Sequence, residues 1–495
     1  MKLPFKSFAF WQHLALVLFV ASVPFWNGCT DADKTRPTNP PVDITTQRDL
    51  VFGVNTNHFQ DSTKQKRTGG TRLYLPIGWA FTPSGFYGQP LKQAQKQYTG
   101  LDDYLVSMKR ANVDVLLCLM QSPDWLNGHN SFGLNTNDFP PIRPGLDKEN
   151  PASYREIAGI YGAFAKRYGA KVWPVGSYRI DPAPPRWNGD PVQKYKSGLG
   201  LVKFMETGNE RDVWWKIGTP EFEQYMTPKQ HAAFQIAVYD SIKAADPSMV
   251  VVMAGLTNYD IKYLREMSAS CVALGRTKFP ADVVNVHHYA NLGNLPGVHP
   301  PTWWVNQACA PEIDKDGATL ATIVAFAKSI GLPVWVTEFG YDTNPGSQMA
   351  PSPVAGKTND QLQAEWNVRA ALEHVRLGAS RSYVFAMADE PNINGGLFQS
   401  CGLLRGESSG YSEKQSFGKF LELSTQLNGW SFVADQSTTT ARLMKFKHPD
   451  GRIRFAYWSP TASNTTAPVT VERVNLTATE TVQYFNMSAN GLSIQ

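Results

Sequence analysis

The stretch Phe204-Met205-Glu206-Thr207-Gly208-Asn209-Glu210 runs from apolar residues into a turn and ends on a carboxylate, and Val334-Trp335-Val336-Thr337-Glu338-Phe339-Gly340 repeats the pattern later in the chain. Each reads as a short buried strand with an acid at its C-terminal end. Working outward, these two belong to a series of eight predicted strands: Val51–Asn55, Thr71–Pro76, Val113–Met120, Leu201–Glu206, Val250–Ala254, Val283–His287, Pro333–Glu338 and Ser382–Met387. Helical patterns separate them, with predicted helices over Thr99–Asn112, Pro151–Tyr168, Pro228–Ala245, Ala318–Ile330 and Asn359–Leu377. Several strands are apolar throughout instead of alternating, as strands covered on both faces should be. The series predicts an α/β protein built on a closed (β/α)8 TIM barrel, whose functional residues are expected where the strands end.

Composition sets the frame around that barrel. A chain of 495 residues exceeds one ordinary core, so an appendage is expected. Hydrophobic content of 42%, charged content of 18% and 34 prolines describe a loop-rich globular protein, which excludes a coiled coil, a disordered chain and a multi-pass membrane protein. The net charge of +5 is too weak to point to nucleic acid as a partner. After Leu427 the pattern changes to short strands between polar turns, predicted over Arg442–Lys447, Arg452–Trp458, Val469–Leu476 and Thr481–Phe485. The Pro449-Asp450-Gly451 turn makes the first two a hairpin. Residues 46–428 are therefore expected to be the barrel, and 429–495 a small antiparallel β-domain that leans on it.

At the other end, Lys2 and Lys6 precede the uncharged run Leu14–Val23, which has the length of a signal-peptide core and is too short to span a bilayer. Trp26-Asn27-Gly28-Cys29, followed by the polar segment Thr30–Pro41, resembles a bacterial lipoprotein signal, although Trp26 stands where leucine is usual. The resemblance implies a signal peptide over 1–28, a tether over 29–45 and membrane attachment through lipidated Cys29, in the periplasm or at the cell surface; the alternative is simple secretion. Of the other cysteines, Cys118 lies in an apolar strand and is expected to be a buried thiol, while a bridge between Cys271 and Cys309 is left open.

The chemistry-bearing residues collect at strand ends. Glu210 follows Asn209 beyond strand four, His287-His288-Tyr289 ends strand six, and Glu338 ends strand seven. An Asn-Glu dipeptide or a single strand-end glutamate says little alone, and the order of these motifs around one barrel mouth says more. At this point the chain resembles clan A of the retaining glycoside hydrolases, most closely the xylosidase/iduronidase-like and cellulase-like branches. The resemblance rests on Arg72, the Gln121-Ser122-Pro123-Asp124-Trp125 run, Asn209-Glu210, His287, Tyr289 and Glu338. It implies a glycosidase with Glu210 as acid/base and Glu338 as nucleophile. Arg72 and Tyr289 would hold the nucleophile's charge, Asn209 would donate to the sugar 2-hydroxyl, and His287 would orient Tyr289 or a substrate hydroxyl. Two departures stand out. Thr207-Gly208 precedes Asn209 where a bulky aromatic is common, and Phe385-Ala386-Met387-Ala388-Asp389-Glu390 ends strand eight where tryptophan is common.

Retention needs one carboxyl that is protonated to assist departure of the leaving oxygen and one that is ionised to attack the anomeric carbon, about 5 to 5.5 Å apart. Two strands of one rim meet that requirement. Trp79, Trp125, Trp187, Trp214, Trp215, Trp303 and Trp304 follow strand ends and are candidates to stack on sugars, whereas Trp335 and Trp366 read as core. Asp389 and Glu390 are candidates for sugar hydroxyls or for a turn cap. No metal site is expected, because His287 and His288 are neighbours on a strand and point to opposite faces. No glycine-rich phosphate loop follows a strand, so no cofactor is expected. Gly406-Glu407-Ser408-Ser409-Gly410 matches a nucleophile-elbow string but lacks the strand and helix around it. Two alternatives stand beside the hydrolase: a non-catalytic surface glycan-binding protein on the same scaffold, and a transglycosylase using the same two glutamates.

Overall fold

A computed structural model describes residues 50–56, 60–88, 90–92, 98–128, 139–183, 193–213, 224–257, 260–292, 308–315, 317–354, 356–438, 441–458, 482–488 and 491–494. Eight strands form one parallel sheet: β1 Val51–Thr56, β2 Gly70–Pro76, β3 Asp114–Met120, β4 Phe204–Glu206, β5 Val250–Val252, β6 Val284–His287, β7 Val334–Phe339 and β8 Ala379–Val384. Their order is β6-β7-β8-β1-β2-β3-β4-β5, and the parallel bridges Val252 to Val283 and Leu256 to Val286 close the ring between β5 and β6. The expected (β/α)8 barrel is therefore the observed one. Its outer helices are α1 Leu101–Arg110, α2 Arg155–Tyr168, α3 Pro228–Ala245, α4 Ile261–Ala273, α5 Gly317–Ser329, α6 Asn359–Leu377 and α7 Gln415–Leu427.

Local chemistry explains where the helices begin and stop. Thr227 caps α3 with a reciprocal bond to Gln230 and a proline in the first turn, and Thr358 caps α6 by a reciprocal bond with Gln361. Gly378, at φ +103°, ends α6 in the left-handed conformation that only glycine adopts without cost. β8 starts at once after it, three residues earlier than Ser382–Met387 predicts. The sequence hides this start because Ser380 and Arg381 look like surface residues. The Arg381 guanidinium in fact lies over the Phe204 and Trp335 rings, 4.4 and 4.7 Å from their centroids.

Inside the barrel, Leu116, Phe204, Val252, Val283, Trp335 and Tyr383 form a dry plug. Gly53 on β1 is required there, since a Cβ would come within 2.5 Å of the Tyr383 ring. Trp335 and Trp366 are both buried, as expected. Cys118, Cys271, Cys309 and Cys401 are buried and none is in a disulfide among the described residues, so Cys271 and Cys309 are packed thiols and not a bridge.

The C-terminal sheet consists of β9 Ser431–Asp435, β10 Arg442–Lys447, β11 Ile453–Trp458, β12 Val482–Ser488 and β13 Gly491–Ile494. The first three are antiparallel, β12 joins β11 in parallel, and β13 returns antiparallel. Sequence patterning picks out neither β9 nor β13, and the predicted strand Val469–Leu476 lies outside the described residues. Trp430, Met444, Phe446, Ala456 and Trp458 share one apolar cluster with α6, α7 and the barrel wall, so this sheet has no separate core among the described residues. Residues 1–49, with the expected signal, tether and Cys29, also lie outside them. Among the described residues no helix is long and apolar enough to cross a membrane.

Candidate active site

Above the apolar plug the inward positions turn polar. Arg72, central on β2 and fully buried, donates Nε to Glu206 Oε2 at 2.6 Å and Nη2 to Glu206 Oε1 at 2.8 Å. It also donates Nη1 to Glu338 Oε1 at 2.7 Å and Nη2 to Asn209 Oδ1 at 2.8 Å. Tyr74, two residues along the same face of β2, donates to Glu338 Oε1 at 2.5 Å, and Tyr289 donates to Glu338 Oε2 at 3.0 Å. Both Glu338 oxygens are thus held, by three donors from two strands: Arg72 and Tyr74 of β2 and Tyr289 just beyond β6. The layer is braced by Asn285, which donates to Glu206 Oε1 at 2.8 Å and accepts from Thr337 Oγ1 at 2.9 Å. Thr337 and Glu338 are neighbours on β7 and both reach interior partners, which a regular strand would forbid. The register with β8 is irregular between Val336 and Phe339 and permits it.

Glu210 stands on the turn beyond β4 at φ +46°, an uncommon backbone state for a side chain of its size. Gly208, two residues earlier, has φ +124°, and a Cβ there would come within 2.8 Å of the Arg211 guanidinium. That contact and the positive φ account for glycine at this position: Arg211 occupies the space. The Glu210 carboxylate accepts from His287 Nδ1 at 2.8 Å, and the same nitrogen is 3.5 Å from Glu338 Oε1. Glu210, His287 and Glu338 each offer one atom within 4.8 Å of the others. His287 Nε2 has no hydrogen-bond partner among the described residues and faces Gly255, where a Cβ would lie 2.1 Å from it. The proton of the neutral ring is therefore assigned to Nδ1, where Glu210 accepts it.

The electrostatics follow from this packing. Burial lowers the His287 pKa and outweighs the opposing pull of Glu338, with Arg72 adding to the depression, so the imidazole is neutral. Burial alone would raise the Glu338 carboxyl, but the charges of His287 and Arg72 and the bonds from Tyr74 and Arg72 carry it below the ordinary carboxylate range. A neutral His287 cannot supply the first of these charges, so we attribute the lowering to Arg72 and Tyr74. Glu210, His287 and Glu338 have the donor types of a metal site. A cation among them would face the Arg72 guanidinium already bonded to Glu338, which disfavours that use.

The remaining residues named from sequence divide. Asn209 joins the cluster through Arg72, which fixes its oxygen and turns its amide N–H groups the other way. His288 points away from His287, as expected of strand neighbours, with Nε2 2.9 Å from Asp314 and Nδ1 3.0 Å from His374. Asp389 is buried and bonded at Oδ1 to Lys414 Nζ at 2.6 Å and to the Gly402 amide at 3.0 Å, so it ties the segment after β8 to the base of α7. Glu390 is exposed. Trp125 is half-buried against the apolar cluster around α2, with the Arg143 guanidinium 5.7 Å from its ring centroid. Trp79 is half-buried just beyond β2, and Trp187, Trp214, Trp215, Trp303 and Trp304 lie outside the described residues. The Gly406–Gly410 string forms a 3-10 turn over Glu407–Ser409, not a strand-to-helix elbow.

Sequence reasoning missed Glu206, Tyr74, Asn285 and Gly255. Alternation could have found the first two, since Glu206 shares a face with Phe204 and Tyr74 with Arg72. Gly255 carries no local signal, because its role is set by a ring on the next strand.

No protein-family model matches the chain, and no curated protein matches it. Among solved structures, it is similar to a family 39 glycoside hydrolase from the gut symbiont Bacteroides cellulosilyticus, at 15% identity over 86% of this chain and 74% of that one, with a TM-score of 0.53. It is also similar to a glucosidase from Croceicoccus marinus, at 11% identity over 82% of this chain and 74% of that one, with a TM-score of 0.50. At these identities the likeness establishes the fold: the chain is a (β/α)8 barrel shaped like those of glycoside hydrolases.

Proposed function

We propose that the protein is a retaining glycoside hydrolase that cleaves oligo- or polysaccharides by double displacement. The observation that carries this reading is the pairing of Glu338, held ionised by Arg72 and Tyr74, with Glu210 on the opposite side of His287, their nearest donor atoms within 4.8 Å. The spacing suits a nucleophile and an acid/base that act on one anomeric carbon without a water between them.

In the first step Glu338 attacks the anomeric carbon while Glu210 gives its proton to the leaving oxygen, forming a glycosyl ester on Glu338. In the second, Glu210 takes a proton from water, which attacks the same carbon and releases Glu338 as a carboxylate. His287 Nδ1–H is bonded to Glu210 Oε1 and orients the carboxyl that transfers the proton. Asn209, anchored through its oxygen, presents its N–H groups for a hydroxyl of the sugar. Arg72 and Tyr74 lower the carboxylate's basicity, which suits a group that must later leave.

Incubating the full chain with a broad polysaccharide panel and identifying the products tests the activity, the linkage and the preference for chain ends. Glu338→Gln is expected to abolish hydrolysis while glycan binding survives. Unchanged behaviour in that variant would favour the glycan-binding alternative, and products longer than the substrate at high acceptor concentration would favour transglycosylation. Attachment through lipidated Cys29 is proposed on the signal-like segment before it, and globomycin-sensitive processing with mass spectrometry of the mature N-terminus tests it.

A further inference from the structure

His287, His288 and Tyr289 follow one another at the end of β6, and alternation sends the first and third into the barrel mouth and the second out toward α6. Both inward neighbours touch a carboxylate of the site: His287 Nδ1 is 2.8 Å from Glu210 Oε1, and Tyr289 donates to Glu338 Oε2 at 3.0 Å. The backbone N–H of His288 donates to the Glu338 carbonyl at 2.9 Å. Residue 288 therefore stands between the two groups that hold the carboxylates and is itself tied to the strand of Glu338. A turn of its backbone moves both neighbours.

The outward imidazole is buried in a polar chain. His288 Nε2 lies 2.9 Å from Asp314 Oδ2, and Nδ1 lies 3.0 Å from Nε2 of His374 on α6. His374 Nδ1 is 3.2 Å from Ser382 Oγ on β8, and its ring meets Phe339, the residue after Glu338, edge to face at 4.9 Å. One arrangement of protons serves all three polar contacts. The carboxylate calls for a proton on His288 Nε2, so Nδ1 accepts from His374 Nε2–H, and His374 Nδ1 accepts from the Ser382 hydroxyl. Burial and the neighbouring imidazole hold the His374 pKa well below its ordinary value, which keeps that ring neutral and the chain pointed one way. Asp314 is fixed in turn. Its Oδ1 accepts from the Asn291 amide at 3.1 Å, and its loop is joined to α6 where Arg369 Nε donates to Glu312 Oε1 at 2.6 Å. An apolar pair would fill the same space without the cost of desolvating two rings and a carboxylate. What the polar chain adds is direction, since it is satisfied in one placement of His288 alone.

Resting on the glycosidase reading, we infer that His288 is a positioning residue for both carboxylates of the site, with His374 and Asp314 as the groups that set its angle. It acts through its two neighbours: His287 is kept on Glu210, and Tyr289 on Glu338. One outward side chain reaches the acid/base and the nucleophile together because the three residues share one backbone. Loss of the bond from His374 loosens both inward donors at once, and a carboxylate that loses a donor becomes a weaker acid.

His374→Leu, His374→Gln and wild type are compared as full chains. The readouts are kcat and KM across pH on whichever of cellulose, xylan, mannan and their oligosaccharides wild type cleaves fastest, the thermal midpoint, and nitrogen NMR of histidine-labelled protein, which reports each imidazole's tautomer. Leucine removes the donor to His288, whereas glutamine supplies one through its amide. His374→Leu is expected to lower kcat about tenfold or more with KM within about twofold, and to move both limbs of the pH profile to higher pH. His374→Gln should bring kcat back to within about threefold of wild type and return both limbs. The His287 signals should shift in the leucine variant and return in the glutamine one. A leucine variant whose kcat per folded molecule is within about twofold of wild type, or whose loss leaves both limbs in place, overturns the inference while the glycosidase reading stands. So does a glutamine variant no better than the leucine one. Should His374→Leu not fold, Asp314→Asn, which weakens the other end of the chain, is expected to move both limbs the same way, and unmoved limbs in it overturn the inference. If wild type cleaves none of the glycans, the glycosidase reading falls and the His287 signals decide: moved in His374→Leu they uphold the placement of His287 through His288, and unmoved they overturn it.

Discussion

Arg72 and Glu206 form a two-point ion pair with no exposed side-chain surface, at 2.6 and 2.8 Å, directly beneath the carboxylate that the same guanidinium holds at 2.7 Å. Arg72 is therefore neutralised from below and electrostatically shared from above. It can hold Glu338 ionised without attracting a second anion into the barrel.

Arg72→Met should lower kcat/KM by roughly a hundredfold to a thousandfold, as removal of one preorganised electrostatic donor does. It also leaves Glu206 buried without its partner, at about 3–5 kcal/mol of stability. Glu206→Gln should destabilise as well but keep more activity, since Arg72 still reaches Glu338. Urea unfolding and steady-state kinetics on both variants check the split.

Tyr74→Phe tests the ionisation of Glu338. The native pKa is below the unfolded value of about 4.3, so the ionised group contributes stability that is fully present above that pH and is lost as pH falls through the native value. Removing the Tyr74 donor raises the native pKa. The acid limb of the kcat/KM profile and the midpoint of acid unfolding should both move to higher pH.

Gly255→Ala places a Cβ 2.1 Å from His287 Nε2. The ring must shift, and with it the bond to Glu210. We expect a fall in kcat of about tenfold or more, because small misplacements of a reacting group are costly. The basic limb of the pH profile, which reports the acid/base, should move with it, and a loss confined to KM would contradict this.

Lys414→Met should destabilise by about 3–5 kcal/mol, because it strands Asp389 in the protein interior. Asp389→Asn should lower the thermal midpoint with little change in KM. A raised KM at unchanged stability would instead place Asp389 in contact with sugar.

The barrel was legible in the sequence because its determinants are local. Runs such as Val334–Phe339, buried at every position, need only be apolar and short, and the caps at Thr227 and Thr358 announce their helices residue by residue. Glu210, His287 and Glu338 were legible for a related reason: strand ends on one face of a barrel converge whatever the loops do. Asp389 was not, since nothing near it in sequence indicates that Lys414 would turn inward to meet it.

What the sequence by itself determined is the barrel, its polarity and the strand ends from which the site is drawn. Only the tertiary structure decided which groups meet there: that Arg72 is divided between Glu206 and Glu338, and that Gly255 makes room for His287. The physical reason is one of range. Strand and helix preferences act over a few residues, whereas these contacts join residues such as Arg72 and Glu338, which lie 266 positions apart along the chain and are brought together only when the sheet closes.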